Sequence, residues 1–294
     1  MKGESKPCNY FSWKKIKNNN KYIIPAEDML KNLENEYTCA CARFLDRSVL
    51  NEPVWVLSGK KDELKAMIIN SKSTLLPVFC GLKEIPPPKF LVSFFKFKNI
   101  HSIQGLKEEV IILENYMKQF GRNPSVIFDY HLMKLDNIPK QTEEKKSPRG
   151  LVLRIPGMSD LDKLAPLQAG YEHEEVMHRE SIFSPAASRI NLSRVIAGGK
   201  ILAAELDGRI AGKINVSGIS FTRYLIGGVY VHPSFRGQGI ARKMTEQFII
   251  SLINEERTVQ KGITLFVKKT NISAIRLYSG LGFTITGDYR ISYY

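Results

Sequence analysis

The sequence lacks the features that would place it in a membrane or secreted class. No apolar run approaches the roughly 20 residues that a membrane-spanning helix needs, and residues 1–20 have no apolar core behind their basic side chains. We therefore expect neither a membrane span nor a secretory signal. Cysteine is scarce, and its positions are Cys8, Cys39, Cys41 and Cys80. This spacing matches no zinc motif and no histidine pair accompanies it, so we expect no metal and reduced thiols in a cytoplasmic protein.

Acidic residues are also in deficit. The 43 basic and 29 acidic side chains leave a formal net charge of +14, and each half of the chain contributes +7 of it. No basic helix or aromatic-interleaved strip stands out, which argues against a dedicated nucleic-acid face. The even distribution suits a solvated surface with a site for a multiply anionic cofactor, and a polyanionic acceptor stays open.

The rest of the composition, 43% hydrophobic and 24% charged, is that of a soluble globular protein. Residues 136–150 have no apolar periodicity, contain two prolines and are dominated by charge, which is typical of a linker. We predict an N-terminal domain over 1–136, a linker over 137–150 and a second domain over 151–294. Both domains are predicted to run helix, hairpin, strand, helix and strand, which suggests an internal structural repeat.

Three local predictions complete this pattern. The apolar run at 90–97 predicts a strand. Residues 105–120 predict a helix, because apolar side chains recur on one face and Gly121 follows. Residues 283–294 predict two strands about a turn at 286–288.

One stretch carries the clearest chemical signal. Residues 224–231 predict a buried strand, which Pro233 ends because proline cannot donate into a ladder. The sequence RGQGIA follows at 236–241, and from Ile240 the apolar residues fall at helical spacing. A glycine-bearing turn between a strand and a helix offers bare N–H groups and a positive dipole end to a phosphate. The alternative is an ordinary turn with a solvated arginine.

A second cluster follows the next predicted strand. Asn271, Ala274 and Tyr278 are succeeded by Gly282 and Phe283. On a helix beginning near position 273, Ala274 and Tyr278 share one face. The small alanine leaves room for a narrow ligand, along which the phenol can be aimed. The alternative for Tyr278 is a core aromatic residue with its hydroxyl at the surface.

Together the two clusters resemble the GNAT superfamily of acyl-CoA N-acyltransferases over residues 151–294. The family pattern Q/R-x-x-G-x-G/A is met by Arg236, Gly239 and Ala241, after a strand that ends in VYVHP. The pattern N-x-x-A-x-x-x-Y is met by the second cluster. The resemblance implies the fold class α/β (α+β): two tandem GNAT-like domains, each a mixed, mostly antiparallel sheet flanked by helices.

The resemblance also implies the site residues. The main chain of Val229, Tyr230 and Val231 would bind the pantetheine arm of acetyl-CoA like an added strand. Asn271 would bond the pantetheine, and Tyr278 would lie near the sulfur and act as a general acid. The pyrophosphate would be held at the helix start, by Arg236, Gly237, Gln238, Gly239, Ile240, Ala241 and Arg242.

The activity implied is transfer of an acetyl group from acetyl-CoA to the primary amine of a small molecule or peptide, by direct attack through a tetrahedral intermediate. The departing thiol has a pKa of roughly 8.5, and a phenol with a pKa of about 10 can return its proton. A main-chain N–H near Val231 can stabilise the oxyanion. The expected partners are acetyl-CoA and an amine acceptor, without a metal or a membrane, and a homodimer stays open.

The general base is harder to assign, because residues 224–231 contain no carboxylate where many relatives place a glutamate. The candidates are Glu205 on the preceding hairpin, Glu174 and Glu175 on a predicted helix, and His232 after the strand. Each also has an ordinary surface or capping interpretation. The pair at 227–228, Gly-Gly, indicates either a bulge where the acceptor approaches or simple packing.

The first half of the chain resembles a degenerate copy of the same fold. Its predicted strand at 74–80 is followed by Gly81 and, at 86–88, by three prolines, which lack N–H groups and favour an extended backbone. No arginine–glycine turn occurs there. We therefore predict one acyl-CoA site per chain, with the first domain supporting the acceptor cleft or an interface. The alternative is an unrelated α+β domain.

Two other functions stay open at this point. One is a module that holds acetyl-CoA without catalysis, as a sensor or scaffold, which the missing strand carboxylate favours. The other is an acyltransferase with a polyanionic acceptor such as aminoacyl-tRNA, which the basic surface permits. The intact Asn271 and Tyr278 favour the enzyme.

Overall fold

The structure, a computed structural model, describes residues 11–16, 21–46, 52–60, 62–97, 100–136, 148–177, 182–255 and 262–294. Most of the predicted linker, 137–147, and residues 1–10 with Cys8 lie outside these ranges. The contacts divide the chain into two units. Unit 1 comprises Met1–Asp129 and Gly287–Tyr294, and unit 2 comprises Tyr130–Thr286.

Unit 1 is an α/β unit whose sheet has the order β1-β2-β3-β4-β5, antiparallel except for the β4–β5 pair. Its elements are β1 (Ser12–Ile16), α1 (Ile23–Asn32), α2 (Glu34–Leu45), β2 (Val54–Ser58), β3 (Leu64–Ser71), β4 (Thr74–Val78), α3 (Phe90–Phe97), β5 (Ser102–Leu106), α4 (Lys107–Lys118) and the start of β6 (Val126–Leu135). Trp55 and Leu57 of the sheet pack in one core with Val110, Leu113 and Met117 of α4.

Two of the local predictions in unit 1 are corrected. Phe90–Phe97 is a helix, not a strand. A segment of eight residues with only Ser93 and Lys96 polar is too short and too apolar for periodicity to separate a helix from a strand. Proline suits a first helical turn, and the Leu91 N–H donates to the Pro88 carbonyl at 2.8 Å. The helix predicted over 105–120 begins only at Lys107, because Ser102–Leu106 forms a strand that the periodicity did not reveal.

Unit 2 continues from β6 and has the strand order β6-β11-β10-β9-β8-β7. Its elements are β7 (Leu151–Arg154), α5 (Leu161–Tyr171), a π-helical turn (Glu172–Val176), α6 (Pro185–Ala197), β8 (Ile201–Leu206), β9 (Arg209–Ile219), β10 (Arg223–Val231), α7 (Ile240–Glu255), β11 (Gly262–Lys268), α8 (Ile272–Ser279) and the start of β12 (Thr284–Tyr293). All pairs are antiparallel except β10 with β11.

Two helical layers cover the unit 2 sheet. Met244 and Phe248 of α7 and Tyr278 of α8 pack in one core with the strands, as the predicted helical spacing from Ile240 requires. Leu164 of α5 and Leu192 of α6 pack in a second core with Tyr230. Local signals hold the elements in place: the Ser184 hydroxyl accepts from the Ala187 N–H at the start of α6. Asp207 and Gly208 both have positive φ in the β8–β9 hairpin.

The ends of the two units differ from the predicted domain bounds. Residues 130–135 pair with β11, and residues 289–293 pair with β5. The chain therefore passes between units inside β6 and inside β12. Residues 283–294 form one continuous strand, Thr284–Tyr293, and not two. Periodicity identifies a strand but not its partner, so these pairings could not be anticipated.

The order of elements is the same in both units once the helix at 90–97 and the strand at 102–106 are included. Each unit runs strand, two helices, three strands, helix, strand, helix and strand. The predicted internal structural repeat therefore extends over the whole described chain.

In unit 1 a buried carboxyl group lies where the chain leaves β4. Glu109 in α4 is 3% exposed, and its Oε1 accepts from the Tyr37 hydroxyl and lies 3.5 Å from the Gly81 N–H nitrogen. The Tyr37 oxygen accepts from the Cys80 N–H at 3.1 Å. The backbone donors after β4 are thus engaged by internal acceptors. Burial raises the pKa of Glu109 to about 7.

This raised pKa predicts a pH-dependent stability of unit 1. The folded state keeps the Glu109 proton in a pH range where the unfolded state, with a pKa of about 4.3, has lost it. The stabilisation is complete below pH 4 and is lost as the pH rises through 7. Between pH 4 and pH 7, we expect the free energy of unfolding of the wild type to fall by about 3 kcal/mol relative to that of Glu109→Gln.

Urea unfolding followed by tryptophan fluorescence measures this difference, because both tryptophans, Trp13 and Trp55, belong to unit 1. Glutamine keeps the acceptor for Tyr37 and cannot titrate. A difference between the two proteins that does not change with pH would contradict the assignment.

Candidate active site

The site in unit 2 begins where two parallel strands separate. β10 and β11 are in register only at Arg223–Gly262, Tyr224–Ile263 and Leu225–Thr264. Beyond these pairs β10 stays paired with β9, and β11 stays paired with β6. The separation leaves a cleft between the carboxyl ends of two neighbouring strands, which is the position where α/β sheets bind ligands.

A bulge distorts β10 inside this cleft. The register with β9 shifts between Gly227 and Tyr230, and Gly228 has φ +60°. A Cβ added to Gly228 would lie 2.1 Å from Asn215 Oδ1 and 2.8 Å from Lys213 Nζ. Of the two interpretations of the Gly-Gly pair, the bulge is the one observed. It admits the side chains of β9 to the cleft side of β10.

The turn after β10 presents a row of backbone donors. Gly237 and Gly239 have φ of +78° and +79°, a conformation that favours glycine. Among the described residues, nothing accepts from the N–H groups of 237–241, whereas the Arg236 N–H donates to the Pro233 carbonyl. These donors span the turn and the first two residues of α7, at the positive end of the helix dipole. The arrangement fits an anion such as a pyrophosphate.

The guanidinium of Arg236 is engaged on both sides. Its Nε donates to the Val231 carbonyl at 2.9 Å, and its Nη2 donates to both carboxylate oxygens of Glu174 at 2.9 Å. The Tyr230 hydroxyl donates to the same carboxylate at 2.8 Å. Glu174, a candidate base, therefore lies in an ion pair with the arginine expected to bind pyrophosphate. Arg242, a second expected phosphate ligand, donates to the Gly280 carbonyl at 2.9 Å.

Asn271 links the start of α8 to the π-helical turn. Its Oδ1 caps the helix by accepting from the Ala274 N–H at 3.1 Å, and its Nδ2 donates to Glu175 Oε1 at 3.0 Å. Lys268 at the end of β11 donates to the Glu174 carbonyl at 2.9 Å. Burial is the largest cause that raises the pKa of Glu175. The turn thus brings one carboxylate to Arg236 and a second to Asn271.

Tyr278 is buried beside these groups. Its ring lies 5.7 Å from that of Phe283, and its hydroxyl bonds to no other group in the described ranges. Burial raises its pKa, and the nearby Tyr171 and Glu175 raise it further. The phenol therefore keeps its proton at neutral pH, which is the state that a general acid requires.

Two other candidate bases are occupied elsewhere. Glu205 accepts from Arg154 Nε at 3.1 Å, and Arg154 also donates to both oxygens of Asp160. His232 accepts from the Ser234 N–H at 3.3 Å through Nδ1, so it caps the short turn after β10. These contacts correspond to the ordinary surface and capping interpretations of both residues.

Sequence reasoning missed a lysine in the cleft. Lys213 of β9 is 0% exposed, and its Nζ donates to the Gly228 carbonyl at 3.0 Å and lies 3.4 Å from Asn215 Oδ1. Lys213, Asn215 and Ser217 alternate with apolar residues along one strand, and we call these three the polar row. A lysine among the apolar residues of a predicted hairpin strand was the available signal.

Residues 167–283 match the family model described as "Acetyltransferase (GNAT) family", so this part of the chain is a GNAT domain, as predicted. The chain is 31% identical over 101 residues to an L-methionine sulfoximine/L-methionine sulfone acetyltransferase of Salmonella typhimurium, which covers 33% of this chain and 57% of that protein. It is 29% identical over 101 residues to an L-amino acid N-acyltransferase of Escherichia coli, which covers 33% and 56%. The chain thus spans little more than half the length of these relatives.

The fold has solved counterparts over its whole length. A tandem GNAT protein from the clavulanic acid biosynthesis pathway has a TM-score of 0.60 at 12% identity, covering 96% of this chain and 98% of that chain. At this identity the likeness shows the fold alone. The predicted fold class, α/β with two tandem GNAT-like domains, is confirmed.

Among the helices of the described ranges, none has the length and apolar character to span a membrane. The His, Cys, Asp and Glu side chains of the same ranges form no group of three that could hold a metal ion. Cys39, Cys41 and Cys80 are free thiols.

The geometry of the bulge predicts an unusually costly glycine substitution. In Gly228→Ala the alanine would have to adopt φ +60°, and its Cβ would clash with side chains of the polar row. In the control Gly199→Ala the alanine would adopt φ +70°, but its Cβ would have no atom within 4 Å. We expect Gly199→Ala to cost roughly 1 kcal/mol and Gly228→Ala at least about 2 kcal/mol. Urea unfolding followed by circular dichroism compares the two, and equal costs would contradict the tight packing at the bulge.

Proposed function

We propose that the protein transfers an acetyl group from acetyl-CoA to the primary amine of a small molecule, by direct attack through a tetrahedral intermediate. The observation that carries the proposal is the run of unengaged N–H groups at 237–241, at the mouth of the cleft between β10 and β11. An anion held there would direct an extended arm along residues 229–231, in the direction of Tyr278.

The cofactor contacts are proposed on the chemistry of the donors. The backbone of Val229, Tyr230 and Val231 would bind the pantetheine amides, because the parallel register with β11 ends before these residues. The amides of 237–241 would hold the pyrophosphate. When bound, acetyl-CoA supplies an acyl group activated by a thiolate leaving group.

Tyr278 and Glu175 are the residues we propose for proton transfer. The Tyr278 phenol would return a proton to the departing thiolate, and its raised pKa keeps that proton available. The Glu175 carboxylate would take a proton from the acceptor's ammonium group and so leave the neutral amine that attacks the thioester, because its raised pKa and its proximity to Tyr278 suit a base in the cleft. Glu174 and Glu205, two of the other candidates, are held by arginines.

One cofactor site per chain is supported by unit 1. There, Tyr37 and Glu109 engage the N–H groups that follow β4. The loop before α3 carries prolines 86–88 in place of a glycine turn. We propose that unit 1 is a degenerate copy without a cofactor site.

The acceptor class is proposed from the two relatives. Both are named for acyl transfer to amino acids or their analogues. We take an amino acid, or a small molecule that contains one, as the acceptor. A panel of L-amino acids, assayed for thiol release from acetyl-CoA, tests the activity; silence across the panel with tight coenzyme binding would overturn it.

The second function is an acetyl-CoA-binding module without catalysis. It is favoured by one observation: two of the candidate bases, Glu174 and Glu205, are held in ion pairs with Arg236 and Arg154. The same thiol-release panel separates this function from the enzyme.

Loss of the proposed general acid should lower turnover without lowering the affinity for coenzyme A. Tyr278→Phe should lower kcat by ~100-fold, since general-acid groups contribute 10²–10⁴, while the Kd for coenzyme A stays within about twofold. Steady-state kinetics and calorimetry measure the two quantities. Tyr116→Phe in α4 of unit 1 is the matched control and should change neither. Equal loss of turnover and affinity would contradict the role of Tyr278.

Removing either charge of the Arg236–Glu174 ion pair should change the affinity for coenzyme A, in opposite directions. Glu174→Gln removes the carboxylate that competes for Arg236 and should tighten coenzyme A binding ~3- to 10-fold, whereas Arg236→Glu should weaken it by at least as much. Calorimetry at two salt concentrations measures both effects, which should shrink at high salt. Asp162→Asn removes an exposed carboxylate of unit 2 that is likewise paired with an arginine, and it serves as control. Weaker binding by Glu174→Gln would argue against competition.

A further inference from the structure

The charge of Lys213 is not balanced by an ion pair. The side chain is 0% exposed, yet in the described parts of the chain it forms no ion pair with a carboxylate. Its one close acceptor is the Gly228 carbonyl at 3.0 Å, because the 3.4 Å distance to Asn215 Oδ1 is beyond the usual range for N–H···O. The ring of Tyr171 lies 4.9 Å from Nζ.

A buried ammonium without an anion is costly. Moving an isolated charge out of water costs several kcal/mol, which is why buried charges are normally paired. Burial accordingly lowers the pKa of Lys213 to about 7. The titratable groups that face it are Tyr171 of α5 and Glu172 of the π-helical turn, and Glu172 is held by Gln168 at 2.7 Å. An anionic ligand would supply the missing partner.

The position of Lys213 relates it to the reacting groups. It reaches the β10 bulge at Gly228, directly before the residues proposed to bind pantetheine. Tyr171 faces Lys213 with its ring and also raises the pKa of Tyr278. Tyr171 thus lies against the lysine and close enough to the proposed general acid to influence it electrostatically. An α-amino acid carries its carboxylate one carbon from its amine, so one molecule can meet both groups.

We infer that Lys213 binds the carboxylate of the acceptor, as the residue that selects amino acids over other amines. The inference rests on the proposed function and deepens it. A carbonyl oxygen and an aromatic face surround Nζ, and both stabilise a cation. This environment suits an anion-binding ammonium better than a neutral amine acting as a base. A carboxylate needs one such cation, whereas a phosphate would call for more.

The test compares each L-amino acid with its own amide, for example L-methionine with L-methioninamide, using the full chain and acetyl-CoA. We expect Lys213→Met to raise KM for the acids ~10- to 100-fold, the range of a charge-assisted hydrogen bond, with much smaller changes in kcat and in KM for the amides. Taking the ratio of variant to wild type for each acceptor removes the difference in amine pKa between acid and amide. Lys163→Met, an exposed lysine of α5, is the control and should change none of these values.

A second measurement follows the ratio of KM in Lys213→Met to KM in the wild type as the pH changes. Since the binding form is the cation, this ratio should fall for the acids as the pH passes 7 and should stay constant for the amides. A ratio for the acids that does not change with pH would overturn the inference. So would a loss in Lys213→Met that is equal for acids and amides.

Calorimetry separates this inference from the proposed function. If no acceptor releases thiol, the acetyl transfer fails, but Lys213 still predicts that L-methionine binds the coenzyme A complex and that Lys213→Met weakens this binding at least 10-fold. Equal binding of L-methionine and L-methioninamide to the wild type would overturn the role of Lys213 alone.

Discussion

The unit 2 site depends on the point at which parallel pairing stops. β10 and β11 share three registered positions and then separate, while the outer edge of each strand remains paired. Backbone polar groups must find partners, so the separated edges favour an extended ligand with amides of its own. The following turn adds donors that suit an anion at one end of that ligand. The separation therefore sets both the shape and the charge of what the cleft can hold.

The bulge opens this cleft to side chains of the neighbouring strand β9. Because Gly228 carries no side chain and has positive φ, Lys213 and Asn215 reach through the position that a Cβ would occupy. An ordinary strand residue there would close the cleft to the polar row. The glycine pair thus gives access to side chains of the next strand. β10 itself contains no carboxylate, and the Glu175 carboxylate of the π-helical turn accepts from Asn271.

The sequence indicated the elements whose signals are local. The strand, glycine turn and helix over 224–255 follow from β-branched residues, two glycines and apolar spacing, and all of these lie within a few residues of each other. The sequence did not predict the contacts between distant segments. Nothing in the spacing links Glu174 to Arg236, or Lys213 to Gly228. The helix at Phe90–Phe97 was missed because eight mostly apolar residues fit a buried strand as well as a helix.

The two copies of one fold differ in the backbone donors that follow the corresponding strand. In both units a strand pairs in parallel with the next for only a few residues, and then the chain turns towards a helix. In unit 1 the backbone donors after that strand bond to the Tyr37 oxygen and adjoin the Glu109 carboxyl group. In unit 2 the donors of the glycine turn bond to no described residue. Internal acceptors engage the first set, whereas the second set is left to solvent or to a ligand.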